Sequence, residues 1–150
     1  MIRELAYIGV ASPRHEEWLT FGPEVLGCQL ASRGADGAVR LRVDDAVHRI
    51  TIRPGKRDEL LYCGWSFANE AELAAYVTRL RLAGLEAMEG TAQECADRAV
   101  AQMFWVTDPW GTRHELVSGQ HRRPGTFWPG RQLSGFVADD FGLGRRAHPS

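Results

Sequence analysis

The run Glu4-Leu5-Ala6-Tyr7-Ile8-Gly9-Val10-Ala11-Ser12 returns in altered form as Glu59-Leu60-Leu61-Tyr62-Cys63-Gly64-Trp65-Ser66-Phe67. Both contain Glu-Leu-x-Tyr-x-Gly, and Tyr62 follows Tyr7 by 55 positions. Self-similarity at a fixed interval marks a duplicated supersecondary unit, so it governs the fold before any single element does. Each run is an apolar strand signal, and each is followed by a helix signal.

After the first run, Ser12 is placed to cap a helix with Pro13 at its first position, where a missing N–H costs nothing. Trp18, Leu19, Val25 and Leu26 mark its apolar side, Gly22-Pro23 interrupts it, and Gly27 ends it. Three strand-like stretches follow, 28–32, 38–43 and 47–53, separated by the turn signals Gly34-Ala35-Asp36-Gly37 and Asp44-Asp45. After the second run, Asn69 with Glu72 makes a capping pattern. Leu73, Tyr76, Val77 and Leu80 then recur at helical spacing until Gly84. A short strand over 85–88, a capped helix or loop over 91–98, and strands over 101–107 and 112–118 complete this half, with Asp108-Pro109-Trp110-Gly111 as the hairpin. Both halves read β-α-β-β-β. The expected fold class is α+β: two tandem βαβββ modules, over 2–55 and 58–119, forming a partly closed, barrel-like cup. Residues 120–150 lack apolar periodicity and read as a linker-like arm and tail.

Composition excludes several classes of function. The 150 residues carry a formal net charge of -1, 44% hydrophobic and 25% charged residues, as expected for one ordinary globular chain. Basic and acidic residues balance at 18 and 19, and aromatic residues are not interleaved with basic runs, so no nucleic-acid partner is expected. No stretch approaches the roughly 18 apolar residues of a membrane span, and the charged start Met1-Ile2-Arg3-Glu4 is unlike a signal peptide; a cytoplasmic protein is expected. Cys28, Cys63 and Cys95 are odd in number and far apart, which fits neither a disulfide framework nor a CxxC pair.

Tandem βαβββ modules are the build of the vicinal oxygen chelate superfamily, and local sequence narrows the likeness. Ile2-Arg3-Glu4-Leu5-Ala6-Tyr7-Ile8-Gly9 and Asp108-Pro109-Trp110-Gly111-x-x-x-Glu115-Leu116 resemble the N-terminal domain of two-domain type I extradiol dioxygenases that act on 2,3-dihydroxybiphenyl and related catechols. Phe127-x-Pro129-Gly130-x-x-x-Ser134-Gly135-Phe136, followed by Gly142-Leu143-Gly144, is similar to the linker leading into their catalytic domain. The resemblance implies aromatic catabolism, Fe(II) in the full-length enzymes, and contacts between copies. In the family a histidine that binds iron follows Gly-Leu-Gly; here Arg145 stands in that place. The resemblance thus implies the iron-free half of such an enzyme, whose catalytic domain would follow Ser150.

Extradiol cleavage needs Fe(II) held by two histidines and a carboxylate on one face, with open positions for catecholate and O₂. The superfamily draws its metal ligands from the first and last strands of each module. Tyr7 and Tyr62 hold the first-strand places, and aligning Gly55 with Gly119 sets Thr51 opposite Glu115 on the last strands. Only Glu115 is of ligand type, and His114 beside it must point to the opposite face. Glu115 reads as a hydrogen-bond acceptor for a tyrosine or arginine, Tyr7 and Tyr62 as groove-filling aromatics, and His48 and His114 as strand residues on the outer face. Trp65, Trp105 and Trp110 read as core aromatics, with stacking on an aromatic ligand as the alternative. No metal or catalytic residues are therefore expected in the chain itself, and no ring cleavage by it alone.

Two other functions stay open. One is a binding module of bleomycin-resistance type that sequesters a small, catechol-like aromatic against Tyr7, Thr51, Tyr62 and Glu115. The other is a glyoxalase-type metal-dependent lyase or isomerase with a site shared across a dimer, which needs ligands that the first strands do not offer. Self-association is expected, because a missing domain interface would expose apolar surface.

Overall fold

A computed structural model describes residues 1–123 and the backbone of Phe136–Val137 and Arg145–Arg146, which pair antiparallel. Phe127 to Gly135 of the linker-like motif and the Gly142-Leu143-Gly144 sequence lie outside the described residues. The chain divides into two compact units. The first holds Tyr7–Leu61 with the described residues from Arg122 on, and the second holds Met1–Ala6 with Tyr62–His121.

Strand β1 (Glu4–Ser12), which belongs to the first unit from Tyr7 on, leads into a helical segment that the sequence keeps from becoming one regular helix. A 3₁₀ turn at His15–Glu17 passes into α1 (Trp18–Phe21) and then, at Gly22-Pro23, into a π turn over Gly22–Leu26. Pro23 has no N–H for the α pattern, so the bonding must be re-phased there. Gly27 ends the segment at φ 75°, a left-handed conformation that a side chain would oppose. Strands β2 (Gln29–Arg33), β3 (Val39–Arg42) and β4 (Ile50–Pro54) follow. β2 and β4 flank β3 antiparallel, and β4 runs parallel to β1. Cys28, Val39, Leu41 and Ile52 form the core on the helical side, with Trp18 and Leu19 packed on them.

The second unit has the same plan. Strand β5 (Glu59–Ser66) precedes α2 (Glu70–Leu82), whose N-cap Asn69 accepts from the Glu72 N–H. Leu73 and Val77 turn inward at the predicted spacing, into a core with Phe67, Ala87 and Leu116. β6 (Met88–Glu89), α3 (Ala92–Arg98), β7 (Gln102–Thr107) and β8 (Arg113–Ser118) follow. β7 lies antiparallel between β6 and β8, and β8 runs parallel to β5. The complete capping box is at α3, where Thr91 and Glu94 satisfy each other's backbone N–H groups. At the hairpin, Asp108 Oδ1 accepts from the N–H groups of Trp110 and Thr112, both at 2.9 Å.

The duplication extends to strand register. Gly9 pairs with Thr51 in the first unit and Gly64 with Glu115 in the second. The intervals that join Tyr7 to Tyr62 and Thr51 to Glu115 in the sequence therefore also relate the two parallel ladders.

Several expectations need correction. Ser12 ends β1, and although its hydroxyl accepts from the Arg14 N–H, the helical segment starts only at His15 with no side-chain cap. The short strand predicted over 85–88 lies at Met88–Glu89. The strand predicted from residue 47 begins at Ile50. His48 is therefore not an outer-face strand residue; it is buried in the loop before β4. The cause is the ion pair of Asp44 and Arg49, both fully buried: Arg49 Nη2 reaches Asp44 Oδ2 at 2.6 Å and folds residues 43–49 inward. Trp110 does not pack in a core either, being 95% exposed at the hairpin tip.

Candidate functional site

Side chains on β8 alternate between two faces, and the alternation sorts the chemistry of the second unit. Leu116 points to the α2 side, and His114 shares that face. The Trp65 indole N–H donates to His114 Nδ1 at 3.0 Å, and His114 Nε2 lies 2.8 Å from Asp108 Oδ2. With Nδ1 accepting, the proton of the neutral ring sits on Nε2 and is donated to Asp108. Both ring nitrogens are thus engaged. The His114 contact, with the N–H groups of Thr112 and Trp110, holds the Asp108 carboxyl below its ordinary range. Burial raises the thiols of Cys28, Cys63 and Cys95, which keeps them protonated and poorly nucleophilic.

On the opposite face Glu115 is fully buried, and its carboxylate is held by two arginines. Arg98, at the end of α3, donates from Nε to Oε1 and from Nη2 to Oε2, both at 2.9 Å, in a two-pronged pairing. Arg113, two residues back on the same strand face, donates from Nε to Oε2 at 2.8 Å. Three N–H groups thus occupy most of the roughly four lone-pair positions of one carboxylate. Each guanidinium also lies over an aromatic ring: Arg98 is 3.8 Å from the centroid of Tyr62, and Arg113 is 4.4 Å from that of Trp105. Around them, Arg98 bonds Asp97 and Arg113 bonds Glu94, at 2.7 and 2.8 Å. The Glu94 carboxyl lies below its ordinary range, first because it accepts from the Thr91 N–H and then because Arg113 faces it.

The predicted site residues therefore fall into two sets. Tyr62 and Glu115 meet in the second unit through Arg98. Tyr7 and Thr51, the matching positions in the first unit, are also buried, but no carboxylate stands where Glu115 does. Tyr7, Thr51, Tyr62 and Glu115 are each at most 4% exposed. The resident Fe(II) that the superfamily implies finds no fit here. Glu115 is already committed to two guanidiniums, and among the described residues no three His, Cys, Asp or Glu side chains gather as metal ligands. The sequence reading missed both arginines. Arg113 carried a signal, since a residue two before Glu115 on a strand shares its face. Arg98 carried none, because only the folded position of α3 brings it to Glu115.

Residues 5–55 match a family model described as dihydroxybiphenyl dioxygenase BphC D1. The chain is 38% identical over 126 residues to the iron-dependent extradiol dioxygenase of Rhodococcus jostii (strain RHA1), covering 81% of this chain and 42% of that enzyme. It is 31% identical over 147 residues to biphenyl-2,3-diol 1,2-dioxygenase of Sphingomonas paucimobilis, covering 95% of the chain and 48% of that enzyme. The crystal structure of BphC, a halotolerant catechol dioxygenase, superposes with a TM-score of 0.85 at 41% identity, over 91% of this chain and 46% of the other. The chain spans about half the length of these relatives. Together the matches make the chain similar to extradiol dioxygenases over about half of those enzymes' length, and its residues 5–55 to the D1 family model.

Proposed function

We propose that this chain is the non-catalytic D1 part of an extradiol ring-cleavage system for catechols of the 2,3-dihydroxybiphenyl type, working in the cytoplasm, and that it does not cleave the ring by itself. The module boundaries 2–55 and 58–119, with an arm over 120–150, belong to this reading. So does self-association of the isolated chain, for which the exposed Phe21, Val25, Leu26 and Leu60 offer apolar surface. Fe(II) belongs to the catalytic part of such a system. The observation that carries the proposal is the state of Glu115: the ligand-type residue at the last-strand place of the second unit is bonded to Arg98 and Arg113 rather than left open for a metal.

A second reading, sequestration of a small aromatic, has one observation in its favour. A cleft of about 690 Å³ in the first unit is walled by Trp18, Phe21 and Val25, with Ser12, Arg14 and Asp58 at its polar margin. That volume lies within the range of small-molecule pockets. Tyr7, Thr51, Tyr62 and Glu115, by contrast, are reachable only if the packing over them opens.

One preparation tests both readings. Protein loaded anaerobically with Fe(II), then given 2,3-dihydroxybiphenyl and O₂, is expected to form no yellow ring-fission product, and its sedimentation is expected to show association rising with concentration. Sustained yellow product from the purified chain would refute the proposal. Saturable quenching of tryptophan fluorescence by the catechol, without turnover, would favour sequestration.

A further inference from the structure

Glu115 is built as a cation site, and the cation is supplied from within. Its carboxylate is wholly buried, so an uncompensated charge there would be costly. The Arg98 guanidinium meets both oxygens at 2.9 Å while its carbon lies over the Tyr62 ring, 3.8 Å from the centroid. A carboxylate edge and an aromatic face set against each other define a slot for a planar, delocalised cation. Such a slot suits guanidinium far better than a compact ammonium or a divalent metal ion, which needs several oxygen or nitrogen ligands around it. The slot has support of its own. Arg113 braces the second oxygen from the neighbouring strand position and is itself held by Glu94 and the Trp105 ring. The helix that carries Arg98 is fixed at its start by the Thr91–Glu94 capping box and stops immediately after it, with Ala99 in the left-handed region at φ 55°. A non-glycine residue held there stores a modest strain, which the packing at the end of α3 must offset.

We infer that the Glu115–Tyr62 slot is a guanidinium-binding site occupied in cis by Arg98, and that removing this side chain leaves a pocket that takes up free guanidinium from solution. The inference stands on the geometry of the second unit alone and is independent of the proposed function.

The test is thermal melting of the full chain as Arg98→Ala, Arg98→Lys and the double variant Arg98→Ala/Glu115→Gln, with guanidinium chloride added at about 1–20 mM, far below its denaturing molar range. Sodium chloride serves as the ionic control. Arg98→Ala should melt lower by roughly 10 °C, the scale set by breaking a buried pair. It should recover a saturable part of the loss with guanidinium but not with sodium. Wild type should show no saturable rise, Arg98→Lys should recover little, and the double variant should have lost the response. No saturable recovery in Arg98→Ala, or equal recovery in the double variant, would overturn the inference. Should Arg98→Ala fail to fold in buffer, guanidinium itself decides: a cooperative transition should return with added guanidinium chloride and not with sodium chloride, and no such return would refute the slot.

Discussion

The two units share topology and register but treat the face away from their helices differently. In the first, the position paired with the β1 glycine is the neutral Thr51, and the buried charges sit in the β3–β4 loop, where Arg49 grips Asp44. In the second, the matching position is Glu115, and the charges converge on the strand itself, with Arg98 delivered by a helix that has no counterpart among the described residues of the first unit. Duplication preserves what the backbone needs: strand pairing, the glycine at the parallel ladder and the helix-side apolar core. It leaves the inner-face chemistry free to diverge. Both solutions end with arginine–carboxylate pairs in low dielectric, where such a pair is worth keeping only if it is complete.

The comparison can be broken most sharply in the first unit. Arg49→Ala strands Asp44, whose side chain is fully buried, and should cost about 3–5 kcal/mol, measured by urea unfolding. A loss under about 1 kcal/mol would mean that water reaches Asp44 and that the loop is not closed as described. An effect equal to that of Arg98→Ala would show that the two units rely on their pairs alike, despite placing them differently.

A smaller effect separates the hairpin of the second unit. Asp108 titrates below the ordinary carboxylate range because His114 and two backbone N–H groups favour its charged form. A carboxyl depressed in the folded state stabilises above its unfolded pKa, and the contribution disappears as pH falls through the folded value. The stability gap between wild type and Asp108→Asn should therefore be present at neutral pH and close as pH falls below about 4. A gap that does not change with pH would assign Asp108 to turn geometry alone.

Much of the fold was legible because it depends on local rules. Asn69 with Glu72, and Leu73 and Val77 at helical spacing, marked α2, and the repeated Glu-Leu-x-Tyr-x-Gly pointed to the duplicated plan. Legibility failed where a tertiary contact overrode a local preference. Val47 and His48 look like strand residues until Asp44 and Arg49 pair and draw their loop inward. The position of Glu115 could be derived from alternation and alignment, and with it the opposite orientation of His114. Its partner Arg98 could not, because a basic residue at the end of a short helix reads as ordinary complement to the helix dipole.

The central claim is that the inner face of the second unit is charge-complete without a metal. Anaerobic equilibrium dialysis of the full chain against Fe(II), compared with Glu115→Gln, tests it directly. No stoichiometric tight binding and no difference between the two proteins are expected; one tightly held iron per chain, lost in Glu115→Gln, would show that this face holds a metal after all.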